Sequence, residues 1–331
     1  MPCPHCQSSC VVKNGTYSLK DGSSVQHFLC KGCGKRFSDK TNTLMARLRT
    51  PASVVSLAFK MRGEGMGVRA SGRVLDVSHS TLLRWEERMA GQASQWSPKA
   101  PDPCEVTLEH DELYTRVGEN LPPQESEGWT LTTMERESRY WVTAQVGRRE
   151  QALFEQGVRT SWQWAAPAAF IRWFSDGERR YAQELWALAS IRLRYPQVAR
   201  AYGHLKVWRE GLEVAIKIKG SQGRPRRQWL YPDHPFTAVS SASEVHANHC
   251  EALNSSIRPH CSAYRRRQNH YAKTRAGLQR AITVQQLIHN WIRPHFSLGK
   301  RTTPAMRMGF ISRPVTMLEF LTTRRYRAIT S

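Results

Sequence analysis

The sequence predicts a multidomain chain: an N-terminal zinc ribbon, a helical helix-turn-helix unit, and an α/β domain. Three observations carry that reading. Two CxxC pairs, Cys3/Cys6 and Cys30/Cys33, open the chain. Apolar residues at helical spacing follow over about 50–92, and from Glu105 the texture turns to strands and then to alternating helices. A chain of 331 residues is long enough for two or three domains, at least one with a full hydrophobic core.

The first unit spans residues 1–42. Each CxxC knuckle can present two thiolates to one ion, and Cys3, Cys6, Cys30 and Cys33 together close a tetrahedral structural Zn²⁺ site. Between the pairs, Val11–Leu19 and Ser23–Leu29 read as strands joined at Asp21-Gly22, a favoured hairpin turn. Gly34-Lys35-Arg36-Phe37 then supplies basic side chains and an aromatic cap. So short a unit buries little core, so the metal is expected to do the folding. His5 and Cys10 lie near enough to be alternative ligands, but paired knuckles leave them as bystanders. Cys104, Cys250 and Cys261 lack ligand spacing and read as core or surface thiols. Eight cysteines, four of them in CxxC pairs, suit a reducing cytoplasm better than a secreted disulfide scaffold.

The second unit, residues 50–92, contains Val68 to Trp85. A first helix is expected to end at Leu75–Val77, and Ser78 can N-cap a second that turns Leu82, Leu83 and Trp85 inward. That leaves His79, Ser80, Thr81 and Arg84 outward, where a recognition helix reads the major groove of double-stranded DNA. Ser94 to Pro103 reads as a linker.

The third unit, residues 104–310, is the α/β part, and 311–331 reads as a basic C-terminal tail. Strands are expected at Val106–His110, Trp129–Thr133 and Tyr140–Val146, and in the apolar run Ala168–Phe174. Helices are expected over Gln151–Val158, Glu178–Ala189, Ser243–Arg258 and Arg275–Trp291, and Gly220–Arg227 reads as a Gly/Pro/Arg loop.

Charge narrows the partners. Lys and Arg number 49 against 27 acidic residues, a formal net charge of +22 and a pI near 10.2. Such a field favours polyanions, nucleic acid before an anionic membrane surface. From Cys250 onward there are 15 Lys and Arg against two acids, Glu251 and Glu319. No apolar run approaches a membrane span, and the N-terminus is no signal peptide.

Two acids stand where strands should end, Asp111 after Val106–His110 and Asp176 in Ser-Asp-Gly. Carboxylates on neighbouring strand ends can share metal ions, and two-metal phosphoryl transfer needs ions roughly 3.5–4 Å apart bridged by such groups. A third carboxylate on a packed helix would complete the site. The expected helix over 243–258 offers Glu244 and Glu251, seven residues apart on one face, with Asn254 and Arg258 beside them. Hard oxygen ligands select Mg²⁺ or Mn²⁺. His246, His249 and Cys250 are poorly placed for a second zinc site if they leave a helix on different sides.

This ordered set resembles a DDE-type transposase of bacterial insertion sequences, most similar to the IS-one family. Asp-Glu-Leu-Tyr at 111–114 resembles the first-aspartate motif, and Ser-Asp-Gly at 175–177 with Tyr181 resembles the second. Cys-Glu-Ala-Leu-Asn-Ser-Ser-Ile-Arg at 250–258 resembles the third. The likeness runs from Cys3 to about Gly309. Tyr114 stands where the family more often has a tryptophan-type aromatic, and Arg-rich 220–227 is unusual. The resemblance implies an RNase H-like fold for 104–310, with Asp111, Asp176 and Glu251 as catalytic Mg²⁺ or Mn²⁺ ligands. It implies Asn254 and Arg258 as DNA-contacting residues. Arg265, Arg266, Arg267, Lys273 and Arg275 would join them on phosphates, with Tyr264 and Tyr271 stacking on bases. It further implies hydrolysis at element ends, strand transfer of the 3′-hydroxyl into target DNA, a homo-oligomer pairing two DNA ends, and a nucleoid-associated location in the bacterial cytoplasm. Two other readings are a zinc and helix-turn-helix regulator derived from a transposase, and an RNase H-like nuclease that hydrolyses without joining.

Overall fold

The computed structural model describes residues 1–194, 204–218, 227–230, 240–241, 243–266, 269–324 and 326. Its N-terminal piece is a three-stranded antiparallel sheet of β1 (Val11–Ser18), β2 (Ser24–Cys30) and β3 (Arg36–Ser38). The expected hairpin is there, and Gly22 at its turn has φ +83°, a left-handed conformation that glycine adopts without strain. The stretch read as an aromatic cap is a third strand, whose Phe37 packs on Phe28.

Three helices follow, α1 (Ala52–Gly63), α2 (Val68–Leu75) and α3 (His79–Gly91). The turn between α2 and α3 passes through Asp76 at φ 50°, and Ser78 caps α3 by accepting the Thr81 amide at 3.2 Å. Leu82 and Trp85 point inward as expected; His79, Ser80 and Arg84 are exposed and Thr81 is half-buried.

The main body is a six-stranded mixed sheet. Its strands are β4 (Glu105–Tyr114), β5 (Trp129–Glu135), β6 (Trp141–Gly147), β7 (Phe170–Asp176), β10 (Leu212–Ile218) and β11 (Arg227–Leu230). A separate hairpin, β8 (Ser190–Arg194) and β9 (His204–Trp208), stands apart. The order is β11-β10-β7-β4-β5-β6: β4, β5 and β6 form an antiparallel meander, while β7 and β10 run parallel to β4 and β7. Helices α4 (Gln151–Ala165) and α5 (Arg180–Ala189) cover one face, and α6 (Asn248–His260) and α7 (Arg275–Leu287) the other. Gly157 lets α4 come close, because a Cβ there would meet Leu131 at 2.7 Å.

Strand alternation sorts β4 between these layers. Val106 and Leu108 join Leu153, Phe154 and Val158 in the larger core, while Leu113 packs with Leu253, Ile257 and Leu278 in the other. Glu109 and Asp111 share the α6 face with Leu113. The outer edge of β6 is covered by amide side chains. Gln279 accepts the Val146 amide at 2.8 Å and donates to Ala144 O at 2.8 Å; Asn290 does both for Trp141 at 2.8 and 2.9 Å. Asn290 lies in a π-helical turn, Ile288–Ile292, that prolongs α7. Edge strands left bare invite pairing with other chains, and these amides close this one.

Several boundaries differ from expectation. Residues 94–103, read as a linker, are packed: Trp96 is buried, stacks on Phe320 at 4.0 Å and meets Trp291 edge-on. Residues 311–324, read as a basic tail, fold back through α9 (Met317–Thr322), after the short α8 (Pro304–Arg307). Ile311, Val315, Met317, Phe320 and Leu321 are buried there. The loop expected at 220–227 lies outside the described residues apart from Arg227. Among the described residues no helix is long and apolar enough to cross a membrane.

Candidate active site

The parallel register of β4 and β7 pairs Glu105 with Phe170 and runs to His110 opposite Ser175, so the next position sets Asp111 beside Asp176. Asp111 lies inside β4, which pairs with β5 as far as Tyr114 and so does not end at His110 as expected, while Asp176 is the last residue of β7; the two acids stand on adjacent strands at one level of the sheet. Glu251 lies in the first turn of α6, which packs over β4 and β5. Burial pushes the Asp111 carboxyl up, and although the Glu112 amide and the Asn254 side chain pull it down, the charges of Asp176 and Glu251 help leave it at about 6. Asp111 thus feels both of the other carboxylates.

Asn254 ties the helix to the strand. Its Nδ2 donates to Asp111 Oδ2 at 2.7 Å, while its Oδ1 accepts from Thr132 Oγ1 at 3.0 Å. Thr132 is the partner of Asp111 across β4 and β5. An amide so held can orient Asp111 without competing for its second oxygen.

The helix expected over 243–258 begins at Asn248 and ends at His260. Arg136 explains the late start. Its Nη2 donates to Glu244 O at 2.9 Å and His246 O at 3.1 Å, taking carbonyls that a helix from 243 would need. Glu244 is consequently off the helix and exposed, with its carboxylate on the Ser241 amide at 3.1 Å. The shared face expected for Glu244 and Glu251 does not form.

Glu112, which sequence reading passed over, stands on the opposite face of β4 from Asp111. Burial pushes its carboxyl up to about 7, with the Asp176 charge adding to the rise, against its bond to Arg149 Nη2 at 2.7 Å. Arg149 also reaches Glu178 at 3.3 Å. The adjacent His110 is wholly buried, stacked on Trp173 at 4.1 Å, and its Nδ1 lies 3.0 Å from Phe174 O.

A basic cavity of about 410 Å³ is lined in part by Tyr114, Arg116, Arg258, Arg265, Arg266 and Tyr271. Arg258 feels the Asp111 charge. Its Nη1 and Arg116 Nε are buried without hydrogen-bond partners among the described residues, as expected of donors kept for a ligand. Arg265 donates to Pro259 O at 3.1 Å, and Arg266 is exposed. Arg275 is exposed at the start of α7, 3.9 Å from Glu127. Arg267 lies outside the described residues. Both tyrosines have partners within the fold. Tyr264 is buried with its hydroxyl 2.5 Å from Thr130 Oγ1, and the Tyr271 ring is met by Arg116 at 4.1 Å and Lys273 at 3.7 Å.

Two groups of described residues bring ligand-type atoms within 4.8 Å of one another, and the acidic trio, more widely spread, is not one of them. The first is Cys3, Cys6, Cys30 and Cys33, a cluster that could form a zinc site. Cys3 and Cys33 sulfurs are 3.7 Å apart, and those of Cys6 and Cys30 3.5 Å. A tetrahedron with Zn–S near 2.3 Å has edges of roughly 3.8 Å. Burial opposes ionisation of Cys30, but the Cys33 amide and the neighbouring thiols bring it down to about 6. Cys6, despite the Ser8 amide, is pushed up to about 12 by sharing protons with Cys33 and Cys30.

The second group is Glu109, His246 and His249. The sequence placed both histidines on one helix; in the fold His246 precedes α6 and Glu109 joins them from β4. The spacing Glu109-x-Asp111 was the available signal, since alternation puts both on the α6 face.

No family model matches the chain. An uncharacterized protein in transposable element ISH50 of Halobacterium salinarum is 22% identical over 315 residues, covering 95% of this chain and 85% of that protein. A distant relative therefore sits in a transposable element.

Proposed function

We propose that the protein is a DNA transposase of the DDE type, with Asp111, Asp176 and Glu251 as its catalytic acids and the mixed sheet as an RNase H-like domain. The observation that carries this reading is the parallel pairing that sets Asp111 beside Asp176 under α6, which brings Glu251. Burial and like charge hold the Asp111 carboxyl at about 6, a strain that a divalent cation would relieve. The donors are all carboxylate oxygens, which suit Mg²⁺ or Mn²⁺. When bound, two such ions supply an activated nucleophile and steady the leaving oxygen of a phosphodiester.

The protein's own groups do the rest. Asn254 fixes the orientation of Asp111, and Arg258, Arg116, Arg265 and Arg266 hold phosphates along the cavity. Zn²⁺ in the four-cysteine cluster stiffens the ribbon, and α3 presents His79, Ser80, Thr81 and Arg84 to double-stranded DNA as the second helix of a helix-turn-helix. Pairing two DNA ends calls for a homo-oligomer at the bacterial nucleoid.

The test supplies DNA with pre-cut 3′-hydroxyl ends, target DNA and Mg²⁺. Joined products, lost in Asp111→Asn, support the transposase. Cleavage without joining points to a nuclease, and DNA binding with neither points to a regulator.

A further inference from the structure

We infer that Glu109 is a positioning residue for the acidic site: with Arg136 and His249 it fixes the start of α6, and so the place of Glu251. The inference rests on the reading of Asp111, Asp176 and Glu251 as one site.

Glu109 is fully buried, and both of its oxygens are engaged. Oε1 accepts from Arg136 Nε at 2.6 Å and lies 2.7 Å from His249 Nδ1. Oε2 accepts the backbone amides of His249 at 2.7 Å and Cys250 at 3.1 Å. Those amides belong to the first turn of α6, whose donors have no partner within the helix. The residue before that turn, Ala247, has no side chain able to cap it. A strand carboxylate therefore does the work of an N-cap from another part of the chain.

The consequence is geometric. Glu251 is the next residue after the two amides that Glu109 holds. One turn further, Asn254 is fixed to Asp111 at 2.7 Å. Glu109 and Asp111 are two residues apart on one face of β4, about 7 Å along the strand. The helix is thus pinned to a single strand at two points, which sets both its axial position and its rotation, with Glu251 between the pins. Arg136 adds a third tie through Glu244 O and His246 O.

Glu109 and His249, joined by His246, have the spacing of a metal site, and His246 Nδ1 is 3.5 Å from Glu109 Oε1. The hydrogen bonding argues against an ion there. The carboxylate already faces the Arg136 guanidinium, and a cation would have to displace it or sit beside a fixed positive charge.

The experiment uses the full chain, with Glu109→Gln, the milder Arg136→Lys, and Glu86→Gln as a control. Glu86 forms a buried ion pair with Arg62 at 2.6 Å, between α3 and α1. Mn²⁺ binding is followed by its paramagnetic resonance signal and amide exchange by mass spectrometry. Glu109→Gln is expected to weaken Mn²⁺ binding about 10- to 100-fold, the scale for groups that orient ligands, and to speed exchange over residues 248–254. Arg136→Lys, which keeps the charge, should recover part of both. Glu86→Gln should lower the melting temperature and leave Mn²⁺ binding unchanged. Wild-type Mn²⁺ affinity in Glu109→Gln overturns the inference, as does an equal loss in Glu86→Gln. Loss of one equivalent of bound zinc on Glu109→Gln overturns it in favour of a metal site. Wild-type protein that binds no Mn²⁺ overturns the acidic site itself, a failure distinct from that of any variant.

Discussion

The four-cysteine cluster and the acidic trio both gather ligand-type side chains, but they stand in opposite surroundings. Around the cysteines the buried apolar groups are Cys3, Cys30 and Phe37, with Val11 and Phe28 packed against them. The sulfurs themselves form much of that core, so an ion bound there would hold the fold together. The acids instead lie on a sheet covered by helices on both faces, with Asn254 and Glu109 tying α6 to β4. On the proposed reading, removing metal from the first site is expected to cost structure, and removing it from the second to cost chemistry alone.

The largest expected effect breaks the chemical side of this comparison. Asp111→Asn, Asp176→Asn and Glu251→Gln should each lower DNA cleavage by about 10³-fold or more with DNA binding kept. Their melting temperatures should hold or rise, since each removes a charge from a crowded cluster. An Asp111→Asn protein that cleaves normally would falsify the assignment.

On the structural side, Cys30→Ser or a strong chelator should unprotect the amides of residues 1–42 and abolish specific DNA binding. The main body should melt as before. Equal loss of protection in β4 and β5 would show that the two regions fold as one.

Asn254→Ala sharpens the contrast, because it removes a tie and no ligand. About a 10- to 100-fold loss of cleavage is expected, with tighter Mn²⁺ dependence than the wild type shows. A loss as complete as that of Asp111→Asn would instead place Asn254 on the reacting groups.

The smallest effect concerns pH. His295 is driven down to about 4 by burial and then by the charges of Arg293 and Arg139, and His289, meeting it edge-on at 4.2 Å, is lowered by burial too. Unfolded histidine titrates near 6.5, so below that pH the unfolded chain takes up protons that the fold refuses. Their contribution is full above about 6.5 and is lost as pH falls toward 4. Asp111 works in the other sense: its contribution is present below about 4 and lost as pH rises through about 6. His295→Asn should flatten the acid side of the melting curve by a few degrees, and Asp111→Asn the neutral side. An unchanged acid limb in His295→Asn would remove the histidine pair from the account.

Much of this frame was legible in sequence because it is local. The hairpin of β1 and β2, the Ser78 cap, and the existence of the strands near Asp111 and Asp176 each rest on a few neighbouring residues, though β4 runs past Asp111 to Tyr114. What was not legible depends on partners far apart in the chain. The start of α6 is set by Arg136, 108 residues before Glu244. Glu109 finds the amides of His249 and Cys250 140 and 141 residues away. Charge counting also hid structure: the arginines of 311–324 drew attention from Ile311, Val315, Met317, Phe320 and Leu321, whose burial decides that segment's place. Tyr264 looked available for stacking because basic residues follow it, yet its hydroxyl has a buried partner in Thr130.

The central claim is that Asp111, Asp176 and Glu251 form one divalent-metal site. Anomalous diffraction from crystals of the full chain soaked in Mn²⁺ tests it most directly. The account predicts density for Mn²⁺ between these three carboxylates, absent in Asp111→Asn crystals. Mn²⁺ bound instead at Glu109, His246 and His249, with none at the trio, would contradict it.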